Sequence, residues 1–221
     1  MTQAQGIAFF DLDHTLVDGD SDSSFIDFLD ARGALPVGIQ EEKEPINRAY
    51  MEGRPWQAEY RALIRRIYRD RPLGETLELG RIHAEEHVVP MLFAGARDLL
   101  AKEREARAEI VLLTTTNQVV TTPLLGLLGL DGLLSSELEV QGEAFTGEIV
   151  GDFCTGPGKA SALRAYCAAR GVDPADCAMY GDGRSDMDAL RAVGQPMAVH
   201  PNGELAEAAA KNRWPVLDLA R

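Results

Sequence analysis

Residues 7–16 of the chain read IAFFDLDHTL, and this stretch decides the fold. An apolar run of strand-forming residues ends in two aspartates, Asp11 and Asp13, with one leucine between them. Side chains two residues apart on an extended chain point to the same side, so both carboxylates can converge on one ligand. Like charges this close repel each other unless a cation or a proton lies between them, and carboxylates suit a hard cation such as Mg2+. The pattern also fits one aspartate that caps the next turn and one that is merely solvated.

Composition limits the classes of protein to which the chain can belong. Its 221 residues carry a formal charge of −13, which argues against nucleic acid or an anionic membrane surface as a partner. Three cysteines without CxxC spacing fit free thiols in a reducing compartment, so we expect a cytoplasmic protein. The N-terminus shows no signal region, and no apolar run is long enough to span a bilayer.

The pattern of the chain changes after the first strand. Apolar residues recur at helical spacing from residue 21 to about residue 88, for example from Trp56 to Tyr68. From residue 94 onward, predicted strands alternate with predicted helices, which indicates a parallel sheet covered on both faces. We therefore predict an α/β core formed by residues 1–17 and 89–221, with an all-helical cap inserted at residues 18–88.

The individual elements follow from the same patterns. Prolines 36, 45, 55 and 72 punctuate the helical insertion, and the Leu-rich run 124–134 is expected to lie in the core. Gly142-Glu143 between two strand-like runs predicts a hairpin. We predict helices over 21–31, 94–107, 118–128, 159–170, 186–193 and 204–211, and strands over 6–10, 109–113, 137–141, 144–150, 178–180, 197–199 and 216–217.

Polar groups follow a second strand in the same manner as Asp11 follows the first. The run 109–113 leads into Thr114-Thr115-Thr116-Asn117, where hydroxyls and backbone N–H groups at a helix start suit a phosphate oxygen. An ordinary helix N-cap explains the same residues. The sequence leaves both interpretations open.

Two later sites complete the set. Lys159 follows a flexible Gly-Pro-Gly turn at a predicted helix start, where a cation is unfavourable unless an anion lies nearby or the side chain bends into solvent. The strand 178–180 ends in Gly181-Asp182-Gly183, and Asp186 follows. These acids supply further hard oxygen ligands, although Asp186 also suits an N-cap.

These motifs, and the order in which they occur, resemble those of the haloacid dehalogenase superfamily of phosphohydrolases. The matching segments are 11–15, the strand into Thr114, Lys159 and 181–186, and they span nearly the whole predicted core. The helical insertion resembles the cap of the phosphoserine phosphatase-like branch. Thr114–Asn117 and the closing residues 214–218, WPVLD, resemble a subgroup often assigned to histidinol-phosphate phosphatase.

The resemblance implies a mechanism and a Rossmann-like core. Asp11 is expected to attack phosphorus and form an aspartyl-phosphate, while Asp13 protonates the leaving alcohol and then deprotonates water. Mg2+ is expected at Asp11, the backbone carbonyl of Asp13 and Asp182, with support from Asp186. The phosphoryl oxygens are expected to contact Thr114, Thr115 and Lys159. Ser185 departs from the family, in which many members have asparagine at this position.

Substrate choice is expected to lie in the cap. Asp20 matches the position where phosphoserine phosphatases carry an acid facing the substrate ammonium, and Asp22 is a second candidate. A cluster of N-cap residues explains both equally well. The expected partner is a small phosphorylated, amine-bearing metabolite such as histidinol phosphate or phosphoserine. The carboxylate of phosphoserine would also need a cation, for which Arg54, Arg61 and Arg65 are the candidates.

Other functions are consistent with parts of the pattern. The phosphoryl group could pass to an acceptor alcohol such as homoserine, or the chain could be a non-catalytic phospho-accepting protein. A dehalogenase is less consistent with the sequence, because Asp13 would have no proton to transfer in that reaction. The HxxEH pattern at 83–87 resembles a zinc motif, but it lies in the predicted cap, away from the acids. The sequence does not indicate an oligomeric state.

Overall fold

The structure is a computed structural model that describes residues 6–220. The expectation of a missing signal region concerns residues 1–5, which lie outside the described residues. The strands are β1 Ile7–Phe10, β2 Glu109–Asn117, β3 Gly132–Ser136, β4 Leu138–Gln141, β5 Ala144–Ile149, β6 Ala178–Gly181, β7 Gln195–Val199 and β8 Val216–Leu217. The α-helices are α1 Ser21–Ala31, α2 Ile39–Met51, α3 Gln57–Tyr68, α4 Leu73–His83, α5 Ala96–Ala106, α6 Gln118–Thr121, α7 Leu124–Leu128, α8 Pro157–Arg170, α9 Met187–Leu190 and α10 Gly203–Asn212.

Six strands form one parallel sheet in the order β3-β2-β1-β6-β7-β8. Strand β1 is central, and the chain passes to β2 on one side and to β6 on the other. In open α/β sheets, ligands bind at the carboxyl ends of the strands where the strand order reverses in this way. The residues at or just after the carboxyl ends of β1, β2 and β6 therefore lie at the expected site.

Alternate residues of β1 face opposite sides of the sheet. Ala8 and Phe10 pack in one apolar cluster with residues of α5 and of the helical insertion. Ile7 and Phe9 pack in a second cluster with residues of α8, α9 and α10. Both faces of the sheet are thus covered, which confirms the predicted Rossmann-like α/β core.

Helices α1 to α4 follow β1 directly, as the apolar spacing predicts, and the β4–β5 hairpin packs against them. The backbone N–H of Asp70 donates to Phe145 O at 2.9 Å, and that of Phe145 donates to Arg71 O at 3.0 Å. Gly147 has φ +82°, and a Cβ built there would lie 3.0 Å from the Cα atom of Arg65. The hairpin, which the sequence assigned to the core segment, therefore makes close contacts with α3 of the insertion.

Several boundaries differ from the prediction for physical reasons. Strand β2 continues to Asn117, because β-branched threonines suit strands as well as helix caps. The prediction missed β3, since an apolar run without alternation does not distinguish strand from helix. The predicted helix 118–128 is interrupted at Thr122 and Pro123, because proline lacks the N–H that would continue the first helix.

The helical insertion also differs in detail. Pro45 lies inside α2, so it does not end a helix there. Residues Ala84–Val88 form a π-helical turn after α4, followed by a 3-10 turn at Val89–Met91. Among the described residues, no helix has both the length and the apolar character needed to cross a bilayer.

Candidate active site

Asp11 and Asp182 are neighbours because they follow adjacent strands. The backbone N–H of Asp11 donates to Tyr180 O at 2.9 Å, which aligns the ends of β1 and β6. The Thr15 hydroxyl lies 3.5 Å from Asp11 Oδ2 and 3.5 Å from Asp182 Oδ1. Asp11 is 5% exposed and Asp182 is 7% exposed, so both carboxylates are largely removed from bulk water.

Lys159 connects the first and last acid motifs. Its Nζ donates to Asp11 Oδ1 at 2.6 Å and to Asp186 Oδ1 at 2.6 Å. The side chain is buried in the first turn of α8, where the helix dipole alone would disfavour a cation. Burial opposes the charge of Lys159, but Asp11 and Asp186 keep its pKa well above the ordinary value. Asp11 and Asp186 are thus two anionic partners of the kind that a lysine at this position requires.

Three buried carboxylates form a candidate metal site. Asp11, Asp182 and Asp186 each offer an oxygen within 4.8 Å of the others. Burial and the charges of Asp186 and Asp11 raise the pKa of Asp182 to about 9, and burial together with Asp186 raises that of Asp11 to about 7. A hard cation would relieve this repulsion through oxygen ligands, so the donor set fits Mg2+.

Asp186 bonds to Lys159 and to the loop that carries Asp182. One oxygen accepts from Lys159, and the other accepts the backbone N–H groups of Asp182 and Gly183, each at 3.2 Å. Asp186 is the N-cap residue of α9, as one interpretation of the sequence predicted, but its carboxylate makes no cap hydrogen bond to that helix and folds back onto the 181–183 loop.

The Asp13 carboxylate is not part of this group of three, and it bonds instead to β2 and to the start of the helical insertion. Ser21 N–H donates to its Oδ1 at 2.7 Å, and the Thr116 hydroxyl donates to its Oδ2 at 2.7 Å. Burial and the charge of Asp20 raise its pKa to about 7, while the bonds from Ser21 and Thr116 act in the opposite direction. A metal contact from Asp13 would therefore use its backbone carbonyl, as the resemblance implies.

The threonines in the last part of β2, the other neighbour of β1, differ in their hydrogen bonds. Thr114 Oγ1 accepts the Thr116 N–H at 3.3 Å, so its own hydroxyl hydrogen can point elsewhere. The Thr115 hydroxyl donates to Cys154 O at 3.0 Å, so this hydroxyl is already bound within the protein. Asn117 caps α6 through Val119 N at 3.0 Å. Of residues 114–117, Asn117 thus has the helix N-cap role that the sequence left open.

The two cap acids differ in their surroundings. Asp20 is the N-cap of α1, where it accepts the Ser23 N–H at 2.7 Å. Asp22 accepts from the Tyr60 hydroxyl at 2.7 Å and from Asn117 Nδ2 at 3.1 Å. Burial and Asp20 raise the pKa of Asp22 to about 6. Both line the cavity in front of Asp11.

That cavity has a volume of about 1310 Å³ and opens between the strand ends and the insertion. Its aromatic lining is a cluster in which Trp56 contacts Tyr50, Tyr60 and Phe153, with ring centroids 5.0–5.5 Å apart. Acidic residues are frequent in its wall. The cavity thus combines aromatic surface with negative charge around the proposed nucleophile.

The candidate arginines already have partners. Arg54 pairs with Glu52 at 2.6 Å, and Arg65 pairs with Glu148 at 2.6 Å. Arg61 donates to the carbonyls of Ile149 and Gly151, at 3.2 and 2.6 Å, and lies over the Phe153 ring. Arg61 lines the cavity, and its partners within the described residues are carbonyl groups and an aromatic ring rather than a carboxylate.

Sequence reasoning missed four contributors. Thr15, Ser21, Thr116 and Tyr60 bond to site acids, and no motif spacing singles them out. Thr15 and Thr116 lie inside quoted motifs, so the presence of a hydroxyl beside an acid was the available signal. Tyr60 comes from α3, and only the folded chain brings it to Asp22.

The HxxEH segment takes no part in the site. The buried His83 bonds through Nε2 to Ser24 Oγ at 3.0 Å and packs against Phe25 and Phe28. Burial and His87 lower its pKa to about 4. Within residues 6–220, the acid cluster at Asp11 is the group whose spacing suits a metal.

The fold and this acid constellation define a class of protein. Residues 8–191 match the family described as haloacid dehalogenase-like hydrolase, and the chain belongs to that family. A histidinol-phosphatase of Neisseria meningitidis is 29% identical, over 97% of this chain and 99% of the relative. A phosphoserine phosphatase of Mycobacterium tuberculosis is 28% identical, over 96% of this chain and 70% of the relative.

Solved structures agree on the fold. A Bordetella pertussis protein of unknown function superimposes with a TM-score of 0.88 at 26% identity, covering 98% of this chain and 100% of that one. A phosphoserine phosphatase in a phospho-aspartyl intermediate analogue form gives 0.70 at 19% identity, covering 99% and 95%. Family and relatives confirm the expectation of a phosphatase.

Proposed function

We propose that the protein hydrolyses small, amine-bearing phosphate monoesters through an aspartyl-phosphate on Asp11. The observation that carries the proposal is the pair of 2.6 Å contacts from Lys159 to Asp11 and Asp186, at the base of the cavity. These contacts fix the nucleophile beside a buried positive charge. A phosphoryl group entering the cavity would meet that charge and the hydroxyl of Thr114.

The proposed reaction has two steps on one carboxylate. Asp11 attacks phosphorus, the bond to the leaving oxygen breaks, and Asp13 gives its proton to that oxygen. Asp13 then takes a proton from water, which attacks the aspartyl-phosphate and releases phosphate. Lys159 and Thr114 hold the non-bridging oxygens while their charge shifts.

Asp11, Asp182 and the Asp13 backbone carbonyl are the groups that would hold Mg2+, with Asp186 keeping Lys159 and the 181–183 loop in place. A bound Mg2+ would supply positive charge that offsets the repulsion between the phosphoryl group and the nucleophile. This assignment rests on the donor chemistry and burial of the cluster.

The insertion at residues 18–88 is proposed to select the substrate. Asp20 and Asp22 supply negative charge, and Trp56 and Tyr60 supply aromatic surface, which together favour a protonated amine. Arg54 and Arg65 are paired with carboxylates, and the N–H groups of Arg61 bind two backbone carbonyls, so a substrate carboxylate would have to compete with existing partners of each arginine. This arrangement favours an amino-alcohol phosphate such as histidinol phosphate over phosphoserine.

A panel of phosphate esters tests the proposal. Histidinol phosphate, phosphoserine and an amine-free alkyl phosphate are incubated with enzyme and Mg2+, and released phosphate is measured. We expect release with all three, fastest with histidinol phosphate, and none with EDTA present. Repeating the assay with acceptor alcohols such as homoserine separates hydrolysis from transfer. Phosphorylated alcohol forming in place of free phosphate would replace the proposal with phosphotransfer.

A further inference from the structure

The Asp13 carboxylate is held from two sides. The Thr116 hydroxyl donates to one oxygen and Ser21 N–H donates to the other, both at 2.7 Å. Thr116 is 4% exposed, and its Oγ1 also lies 3.4 Å from Ser21 Oγ. Hydrogen bonds this short to a carboxylate fix its orientation.

Among the described residues, the hydroxyl of Thr116 bonds to side chains at the site rather than to its own strand or helix. Thr115 next to it donates to the Cys154 carbonyl, and Asn117 caps α6. By contrast, the hydrogen-bond partners found for the Thr116 hydroxyl are Asp13, 103 residues earlier in the chain, and Ser21, the first residue of α1. The contact therefore joins β2, the loop after β1 and the start of the insertion at a single carboxyl group.

We propose that Thr116 is a positioning residue that holds the Asp13 carboxyl where it can transfer a proton to the leaving oxygen. The inference rests on the proposed acid–base role of Asp13. In the step concerned, the bond from phosphorus to the leaving oxygen breaks as the Asp11 oxygen bonds to phosphorus. The proton of Asp13 moves to the leaving oxygen, and Asp13 becomes a carboxylate that accepts from Thr116 and Ser21.

This role predicts that alkyl and aryl phosphate esters respond differently to the loss of the Thr116 hydroxyl. An alkoxide leaving group is strongly basic and needs the proton of Asp13, whereas a nitrophenolate leaves readily without it. Loss of the Thr116 hydroxyl should therefore impair alkyl esters and spare aryl esters. A purely structural role would impair both to the same extent.

The experiment compares Thr116→Val with Thr116→Ser and the wild type, using an amino-alkyl phosphate and 4-nitrophenyl phosphate. We measure kcat/KM, because it reports the steps up to loss of the leaving group. For Thr116→Val we expect a fall of about 10- to 100-fold on the alkyl ester, the effect of one hydrogen bond to a charged group. On the aryl ester we expect a fall of less than about threefold, and Thr116→Ser restores the alkyl activity.

Thr76→Val is the matched control, since Thr76 is a buried threonine whose hydroxyl donates to Pro72 O at 2.8 Å, outside the cavity lining. It should leave the ratio of alkyl to aryl kcat/KM unchanged. An equal fall on both esters for Thr116→Val, or no recovery with Thr116→Ser, overturns the inference while leaving the proposed function standing. Failure of the wild type to release phosphate from either ester rejects the proposed function, and the inference with it.

Discussion

Lys159 Nζ donates to Asp11 Oδ1 at 2.6 Å, although 148 positions separate the two residues in the chain. The lysine side chain is 1% exposed and that of the aspartate 7%. A buried charge of this kind is tolerated only with partners, and the lysine also contacts Asp186 at 2.6 Å. Stability and the proposed chemistry therefore depend on the same contact.

Removing the charge of Lys159 should destabilise the fold. Lys159→Met keeps the length and apolar stem, but leaves Asp11 and Asp186 buried without their cation, so we expect a loss of about 3–5 kcal/mol in the free energy of unfolding. Urea unfolding with EDTA present measures this. The control Lys43→Met breaks an ion pair with the exposed Asp27 at 2.5 Å, and should cost about 1 kcal/mol or less. Equal costs for both variants would contradict the structural role of Lys159.

The raised pKa of Asp22 predicts a pH-dependent stability. Burial and Asp20 raise it from 3.8 to about 6, opposed by Tyr60, Lys43 and Asn117. A raised pKa in the folded state means that charging Asp22 costs stability as pH rises through this window. The Asp22→Asn variant escapes that cost, so its stability relative to wild type should increase from pH 4 to pH 6 and then level off.

Unfolding by urea at half-unit pH intervals measures this difference, which we expect to reach about 3 kcal/mol. The absolute stability of Asp22→Asn also reflects its changed bonds to Tyr60 and Asn117, but that offset does not vary with pH. A pH-independent difference between the two proteins would show that Asp22 is not held in the strained, buried state described.

Asp20 combines two roles that substitution can separate. Asparagine is as good an N-cap as aspartate, so Asp20→Asn keeps the cap on Ser23 N–H and removes the charge. We expect KM for aminated substrates to rise about tenfold, with little change for a plain alkyl phosphate, because a partly buried charge pair is lost. Asp20→Ala should add a stability loss of about 1 kcal/mol. If KM rises equally for both substrates, Asp20 does not recognise the amine.

The contact between the hairpin and α3 is tested with two glycines. Gly147 and Gly142 have φ of +82° and +63°, so alanine is strained at both. Only at Gly147 does the added Cβ meet neighbouring atoms, 3.0 Å from Arg65 Cα, whereas nothing lies within 4 Å at Gly142. Gly147→Ala should therefore be about 1–3 kcal/mol less stable than Gly142→Ala, by overpacking alone. Thermal and urea unfolding provide the comparison, and similar losses would argue against tight packing at this contact.

The proximity of Asp11 and Asp182 could be predicted from the sequence, because both follow strands that share one edge of the sheet, whereas Lys159 reaches them from the first turn of α8. Strand ends are marked by an abrupt change from apolar to polar residues, as at Asp11 and Asp182. Parallel pairing of β1 with β6 then brings those residues together. Chain order and strand polarity are sufficient for this inference, without side-chain detail.

Other features depend on packing that no local pattern encodes. The Tyr60–Asp22 bond joins residues of α3 and α1, and the bonds of Thr116 and Ser21 to Asp13 join three separate segments. Strand β3 was missed because Leu133 and Leu134 lie in an apolar run with no period of two. The placement of the hairpin against α3 depends on Gly147, whose close approach is visible only in three dimensions.

The central claim, that Asp11 is the nucleophile, is tested most directly with Asp11→Asn. Phosphate release from histidinol phosphate is measured for this variant, for wild type, and for the control Asp27→Asn, which changes an exposed aspartate outside the cavity lining. Far-UV circular dichroism establishes that each variant is folded. The account predicts a loss of more than about 1,000-fold for Asp11→Asn and none for the control, as expected when a nucleophile is removed. A folded Asp11→Asn protein that retains more than about one hundredth of wild-type activity would contradict it.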